Sequence, residues 1–501
     1  MAFRSVPLAG AAAFLLLLSG CATFRSYDKE LGQTLGQVSG GNVDGAIKVL
    51  ESNNKSNTKD LLYYFELGEL LRLKDRYPES QQSWRSADAT VQRWEDTAKT
   101  NPSALFGNAA SYIINDKTRP YEGHDYEKVM LTTRMAMNFL AEGDFDSARV
   151  AIKQTHEREA VIADVRGKEL YEVEKDAQKR GARTSFKDLN GYPVQSIDNP
   201  EVNALKNSYQ SALSHYLAGF IYEAQGEPSL AAPGYRQAIE LQPNQPLLEQ
   251  ALSGLDQRVS ARDDGTTDVL FIIESGTAPA RQSVNFPLPI PVNRTLIFIP
   301  VSFPVMRSTS SGTLPSGLTV DGSEPLPVVP ITSIDLMARR ALKDEMPGIM
   351  LRAGIRSAGK AAAQYELQHQ SQQQNNGWLG LAALAVTAVA IVTESADERT
   401  WRSLPDRIAI ARGKFPPGTH QVTVQTPEGP QSFQVNVSGR HAVVGLRLLQ
   451  RTMYVQAPIG PAGAPPLAVP PPPAGSTRES GSTTASPAAL EEQSQATESA
   501  K

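Results

Sequence analysis

The sequence predicts an α+β protein: a solenoid of paired helices, then a β-rich domain with an inserted helical hairpin, then a disordered C-terminal tail. From about residue 26 to 258, apolar residues recur at three- and four-residue spacing with Gly-Asp or Pro punctuation, the period of amphipathic helices. From Asp268 the texture changes to short β-branched runs bounded by Gly and Pro. Beyond Ala457 come four consecutive prolines, Pro470 to Pro473, and then Ser, Thr, Glu and Ala, with almost nothing to bury.

Internal repetition organises the helical part. A small residue, an aromatic and another small residue recur in Leu67-Gly68 … Ser80 … Trp84 … Ala87 and in Gly219 … Tyr222 … Ala231 … Tyr235 … Ala238. Ala136, Phe139, Gly143-Asp144, Ala148 and Ile152 form a third copy, and Gly41 to Leu50 supplies a further second helix, preceded by a helix from about Ser26 to Val38. Ala46, Ser80 and Ala148 are separated by 34 and 68 positions, one and two lengths of the tetratricopeptide unit. The predicted solenoid is therefore tetratricopeptide-like and spans 21–260. The interval from Ala148 to Ala231, 83 positions, breaks the phase, and the break falls on a charged segment, Glu157 to Lys187, read as an extended helix plus loop.

The second domain is placed at 265–455. Its predicted strands are Val269–Ile273, Thr295–Val301, Gly317–Val320, Arg407–Ala411, Gln421–Val424, Ser432–Val437 and Ala442–Leu448. Between the two groups, 333–394 returns to helical spacing and runs into Trp378–Val392, an uncharged stretch shorter than the ~20 residues of a membrane span and read as a buried core helix. Arg339, Arg340, Lys343, Arg352, Arg356 and Lys360 make a basic stripe on the preceding helix, expected to be a solvated face. The tail is assigned to 456–501.

Composition excludes several kinds of chemistry. The 501 residues are 40% hydrophobic and 20% charged, ordinary for globular domains with ample core. Six scattered histidines and His156-Glu157-Arg158-Glu159-Ala160, which lacks a second histidine four residues on, support no metal site. Ser357-Ala358-Gly359-Lys360 matches the S-x-x-K of penicillin-recognising enzymes without its companion motifs. No nucleophile elbow or phosphate loop is present, and 53 acids single out no carboxylate pair. The expectation is a protein that is not an enzyme and carries no cofactor.

The N-terminus carries the compartment. Arg4, the apolar run from Leu8 to Leu18 and a small-residue exit have the three-part form of a secretory signal peptide over 1–20. Leu18-Ser19-Gly20-Cys21 resembles the lipobox of bacterial lipoproteins, which implies lipidation of Cys21, cleavage before it and, from Ala22, sorting to the outer membrane facing the periplasm. Several acyl chains make such an anchor stable, because each buried CH₂ contributes about 0.8 kcal/mol. Cys21 is the single cysteine, so no disulfide or thiolate chemistry remains once it is acylated. Losing the one arginine of the leader moves the formal charge from −4 to −5, which gives no attraction to nucleic acid.

Two polar-aromatic clusters stand out as candidate interaction sites: Tyr121, Glu122, Tyr126 and Glu127 before a repeat helix, and Asp397, Arg399 and Trp401 after the apolar stretch. Such groups either fix a loop through backbone hydrogen bonds or form a binding edge. These segments, with Asp60-Leu61-Leu62-Tyr63-Tyr64-Phe65-Glu66-Leu67-Gly68 and Gly143-Asp144, resemble a family of uncharacterised tetratricopeptide-containing lipoproteins of Gram-negative bacteria, over residues 21 to about 450. The resemblance implies a scaffold that binds envelope proteins or peptide segments, with peptidoglycan a further candidate, and supplies no catalytic residue. The alternatives are a membrane-inserting component of a secretion or assembly complex and, with less support, a cell-wall-acting enzyme.

Overall fold

The computed structural model describes residues 25–101, 116–262, 264–292, 295–307, 312–373 and 395–457, and its helices come in pairs. Helix α1 (Tyr27–Ser39) packs on α2 (Val43–Asn53), α3 (Leu61–Arg72) on α4 (Tyr77–Thr100), and α5 (Asp125–Ala141) on α6 (Phe145–Arg180). A short α7 (Pro200–Ala204) precedes α8 (Ala212–Ala224), which packs on α9 (Pro228–Leu241); α10 (Pro246–Ser253) and α11 (Leu255–Ser260) follow. Asn42, Asp60 and Asp144 cap α2, α3 and α6 by accepting from the backbone N–H three residues on, at 2.8–2.9 Å. Helix α6 ends at Gly181 in the left-handed region, φ 61°, so the charged segment is a long helix followed by irregular chain.

The small residues set how closely the helices of a pair approach. Ala46, Ser80, Ala148 and Ala231 are all fully buried. A Cβ on Gly68 would lie 2.2 Å from Trp84 Nε1, which itself donates to the Phe65 carbonyl at 3.2 Å, while Ser80 Oγ donates to the Gly68 carbonyl at 2.7 Å. Gly219 stands in the same relation to Tyr235, 2.6 Å from the ring. Each aromatic thus fills space that only glycine leaves open.

The sheet-rich part begins with β1 (Thr267–Ser275), buried along its whole length. It lies at the centre of a five-stranded sheet ordered β10-β9-β1-β6-β5, with β5 at Val329–Ser333, β6 at Arg407–Phe415, β9 at His441–Leu449 and β10 at Thr452–Gln456. Strands β1 and β9 run parallel and the other pairs antiparallel. Alternation along β1 sends Leu270 and Ile272 into the core shared with the helices, and Val269, Phe271 and Ile273 against a second sheet, β4 (Leu318–Val320), β7 (Gly418–Thr426) and β8 (Gly429–Val437). The insertion is α12 (Ile334–Gln373), and its flanking strands β5 and β6 are neighbours, so the chain leaves and re-enters the sheet at one place.

Three strands go beyond the sequence expectation: β2 (Arg281–Val292), β5 and β10. Prolines at 287, 289 and 291 argue against a strand, yet β2 pairs with β3 (Thr295–Met306) over twelve positions. Pro287 faces Pro300 in the ladder, where neither residue has an N–H to donate. Alternate positions therefore direct their backbone to the free edge of a two-stranded ribbon, where proline is tolerated.

The basic stripe on α12 is corrected by the structure. Arg339 donates to the Asp335 carboxylate and the Ser196 carbonyl, Arg340 to Asp344 and the Leu205 carbonyl, and Lys343 pairs with Asp198. Arg352 and Arg356 share Asp116. The stripe is the seam between α12 and the preceding chain rather than a solvated face: beside the pairs within the helix, Ser196, Asp198, Leu205 and Asp116 receive it from segments distant in sequence. Cys21, the apolar stretch Trp378–Val392 and residues 458–501 of the proposed tail lie outside the described residues.

Gly68→Ala drives a methyl into Trp84, and overpacking of this kind costs about 1–3 kcal/mol. The expected result is a lower urea midpoint than wild type; an unchanged midpoint contradicts the glycine-aromatic packing.

Candidate functional site

Three segments distant in the chain, 60–68, 121–127 and 396–405, meet at one place. Gly123 takes φ +78°, and a Cβ there would press on Leu61 and Phe65 at 3.3–3.4 Å, so the turn into α5 closes against α3. His124 is the N-cap of α5, and Glu127 reaches back to accept its backbone N–H at 2.8 Å, the acid half of a capping box. The same carboxylate accepts from Trp401 N at 2.6 Å, Thr400 Oγ1 at 3.1 Å, Tyr126 OH at 3.2 Å and Tyr121 OH. Five donors thus converge on one fully buried acid.

One turn of chain further on, Glu66 of α3 repeats the device. Its two oxygens accept from Arg402 N at 2.6 Å and Ser403 N at 3.2 Å, and burial pushes its pKa up to about 7 against the pull of those donors. Between the two acids the Trp401 ring stacks on Phe65, centroids 4.4 Å apart and 11° from parallel, with its edge toward Trp84. Asp397 clamps Arg399 through Nε at 2.8 Å and Nη2 at 2.7 Å, and the guanidinium also covers Tyr121. The structure therefore brings both predicted clusters together: Tyr121, Tyr126, Glu127, Arg399 and Trp401 are buried and bonded to one another or to backbone. Glu122 and Asp397 are half-buried and line a cleft of about 160 Å³ beside this junction.

The cleft is walled by charge. His124 Nδ1 lies 3.0 Å from Glu345 Oε1 and Nε2 lies 3.0 Å from the Arg399 carbonyl oxygen. Both partners are acceptors, so both ring nitrogens donate and the ring is an imidazolium. Burial and the neighbouring Arg281 oppose that charge, but Glu345 and Glu127 outweigh them and the pKa is raised. Burial likewise opposes the charge of Glu345, yet Arg281, at 2.9 Å through Nη1, and His124 hold its pKa well below the usual carboxylate range. Lys128 Nζ sits 3.7 Å from the centre of the Trp94 ring on the same wall.

Arg281 and Glu345 carry no mark in the sequence, and Glu66 stands there only as one residue of the run Asp60–Gly68. Arg281 is in the proline-rich strand, and one acid among 53 carries no local mark. Elsewhere, Glu223, Asp268 and His441 bring ligand-type atoms within 4.8 Å of one another, but Arg412 already bonds both carboxylates, at 2.7 and 2.8 Å, and supplies the cation. Ser357 Oγ is buried and donates to the Ala353 carbonyl at 2.7 Å within its own helix.

No family model matches the chain, and no curated protein matches it. Among solved structures it is similar to a tetratricopeptide repeat protein from Parabacteroides merdae, at 14% identity over 45% of this chain and 97% of that one, with a TM-score of 0.13.

Replacing Glu127 by alanine strands several buried donors, each costing about 1–3 kcal/mol, so a loss of at least about 3 kcal/mol is expected in urea unfolding. His124 carries a pH signature. Its pKa is raised on folding, so its contribution is full below the ordinary value of 6.5 and is lost as pH rises through the folded value. Wild-type stability should decline above about pH 6.5, and His124→Gln should remove that part of the decline; an identical profile in the variant refutes the imidazolium.

Proposed function

We propose that the chain is an outer-membrane-anchored periplasmic lipoprotein whose paired helices act as a tetratricopeptide-type scaffold for envelope proteins or peptide segments, in cell-wall synthesis or envelope assembly. The observation that carries the reading is Leu18-Ser19-Gly20-Cys21 at the end of a leader-like segment. It is supported by the 34-residue phase of Ala46, Ser80 and Ala148, all buried at helix-pair contacts. Association through paired helices needs no catalytic group, and the polar residues of the junction are engaged in holding the chain together.

The membrane-inserting alternative has one feature in its favour. On the outer face of the β2–β3 ribbon, Leu296 and Phe298 are 55% and 61% exposed, beside exposed Pro287, Pro289 and Pro291. Among the described residues no helix is long and apolar enough to cross a membrane.

Wild-type protein should incorporate labelled palmitate and sediment with outer membranes, and Cys21→Ser should do neither. Crosslinking in intact cells should then enrich a defined envelope partner through the helical part. Recovery of unmodified wild type with its leader attached defeats the anchor, and flotation of the leaderless Cys21→Ser protein on liposomes favours the inserting alternative.

A further inference from the structure

The β2–β3 ribbon has two free edges, and its prolines make them unequal. Pro287 and Pro300 oppose each other with no N–H on either, so at this position both residues turn their backbone away from the partner strand. Such positions recur every second residue. On β2 they include Pro287, Pro289 and Pro291, which leave that edge without N–H groups to offer another strand. Opposite them on β3 stand Pro300, Phe298 and Leu296. The N–H and C=O of Leu296 and Phe298 therefore face the outer edge, and among the described residues no hydrogen bond outside the ladder engages them. Nearer the base the edge is closed, since Pro300 has no N–H and the Pro304 carbonyl accepts from Tyr192 OH at 2.9 Å. Leu296 and Phe298 are also 55% and 61% exposed, so backbone and side chain are free at the same two residues.

We propose that this edge of β3 pairs with the same edge of a second copy of the chain, antiparallel about a two-fold axis at Ile297.

A two-fold axis there sets Leu296 opposite Phe298 of the second copy, and Phe298 opposite its Leu296. Each pair exchanges two main-chain hydrogen bonds, so the open groups of one copy are completed by those of the other. The same register places leucine beside phenylalanine twice on the exposed face, an apolar cross-strand pair. Beyond Arg281 neither β2 nor β3 carries a charge, so self-pairing opposes no like charges. The product is a four-stranded sheet whose outer strands are both β2. Their proline edges stop further addition, and assembly closes at two copies instead of growing into a filament. A bilayer would cover the two side chains but leave the edge backbone groups unpaired in an apolar medium, which is costly. The inference stands independently of the lipid anchor, and its failure would leave palmitate labelling as it was.

The test uses the chain from residue 21 onward with Cys21→Ser, which contains no cysteine. Analytical ultracentrifugation should show a reversible equilibrium between monomer and dimer. Phe298→Pro removes an edge donor at a kind of position where the ribbon already carries proline, and should weaken the dimer at least tenfold. Should that variant fail to fold, Phe298→Lys keeps the N–H, sets a charge against Leu296 of the second copy, and should weaken the dimer likewise. Disulfide formation then reads the register. A mixture of the Leu296→Cys and Phe298→Cys proteins should crosslink, because directly opposed residues lie about 5.5 Å apart, within bridging range. Either protein alone should not, its two cysteines being offset by two residues. A monomer throughout a concentration series up to about 0.1 mM, a dimer that Phe298→Pro leaves as strong, or crosslinks in the separate proteins but not in the mixture overturns the assignment. A monomer that floats on liposomes through Phe298 gives this face to a bilayer instead.

Discussion

Two buried carboxylates hold this fold together by accepting the backbone N–H groups of one distant loop. Glu66 and Glu127 stand on different helices and accept the N–H groups of Trp401, Arg402 and Ser403, three successive residues of a loop more than 270 positions away. An ionisable group stripped of water is tolerated only when hydrogen bonds replace its hydration, and here three of the donors are main-chain groups of the loop, which cannot swing away. The loop they fix is where the chain returns from the α12 excursion. Immediately after it, Asp406 N donates to the Ser275 carbonyl, and the Asp406 carbonyl accepts from Ile334 N, so departure and return are pinned to the end of β1. Without that clamp the register of β6 between β1 and β5 would rest on strand pairing alone.

The helical and sheet-rich parts consequently behave as one packed object. Leu270 and Ile272 of β1 join the same apolar core as Phe65, Trp84 and Tyr126. Polar contacts cross the boundary as well: Arg134 of α5 pairs with Glu69 of α3 and Glu274 of β1, all of them fully buried, and Arg72 and Arg447 add two further guanidinium groups nearby. Several of these nitrogens and oxygens have no hydrogen-bond partner in the protein. Groups of this kind are satisfied by internal water in folded proteins, and an ionic cluster so placed contributes more to which surfaces meet than to net stability.

Much of this was legible in the chain, and the exceptions have physical causes. The glycine-aromatic spacing at Gly68–Trp84 and Gly219–Tyr235 marks close helix approach because only a missing Cβ permits it, and the alternating strands declare themselves through β-branched runs. Strand β2 hides because its prolines break the rule for strands in general, and only the pairing of Pro287 with Pro300 explains why they are admissible. Helix α12 misleads in the opposite direction: its basic residues look like a wet face, since the acids that receive Lys343, Arg352 and Arg356, namely Asp198 and Asp116, are remote in sequence. Charge periodicity along one helix carries no information about what lies opposite.

The two polar-aromatic clusters show the same limit at the site itself. A binding edge and a buried clamp need the same residues, an acid to accept, aromatics to exclude water and an arginine to balance charge, so composition does not separate them. The distinction lies in whether the acid's donors belong to the same chain. For Glu127 they do, from Tyr121 through to Trp401, and its capacity is filled. For Arg281, Nη1 is engaged by Glu345, while Nε and Nη2 are buried with no hydrogen-bond partner in the protein. The junction therefore spends its polar groups on assembly, and a buried clamp is told from a binding edge by where the acid's donors come from rather than by which residues are present.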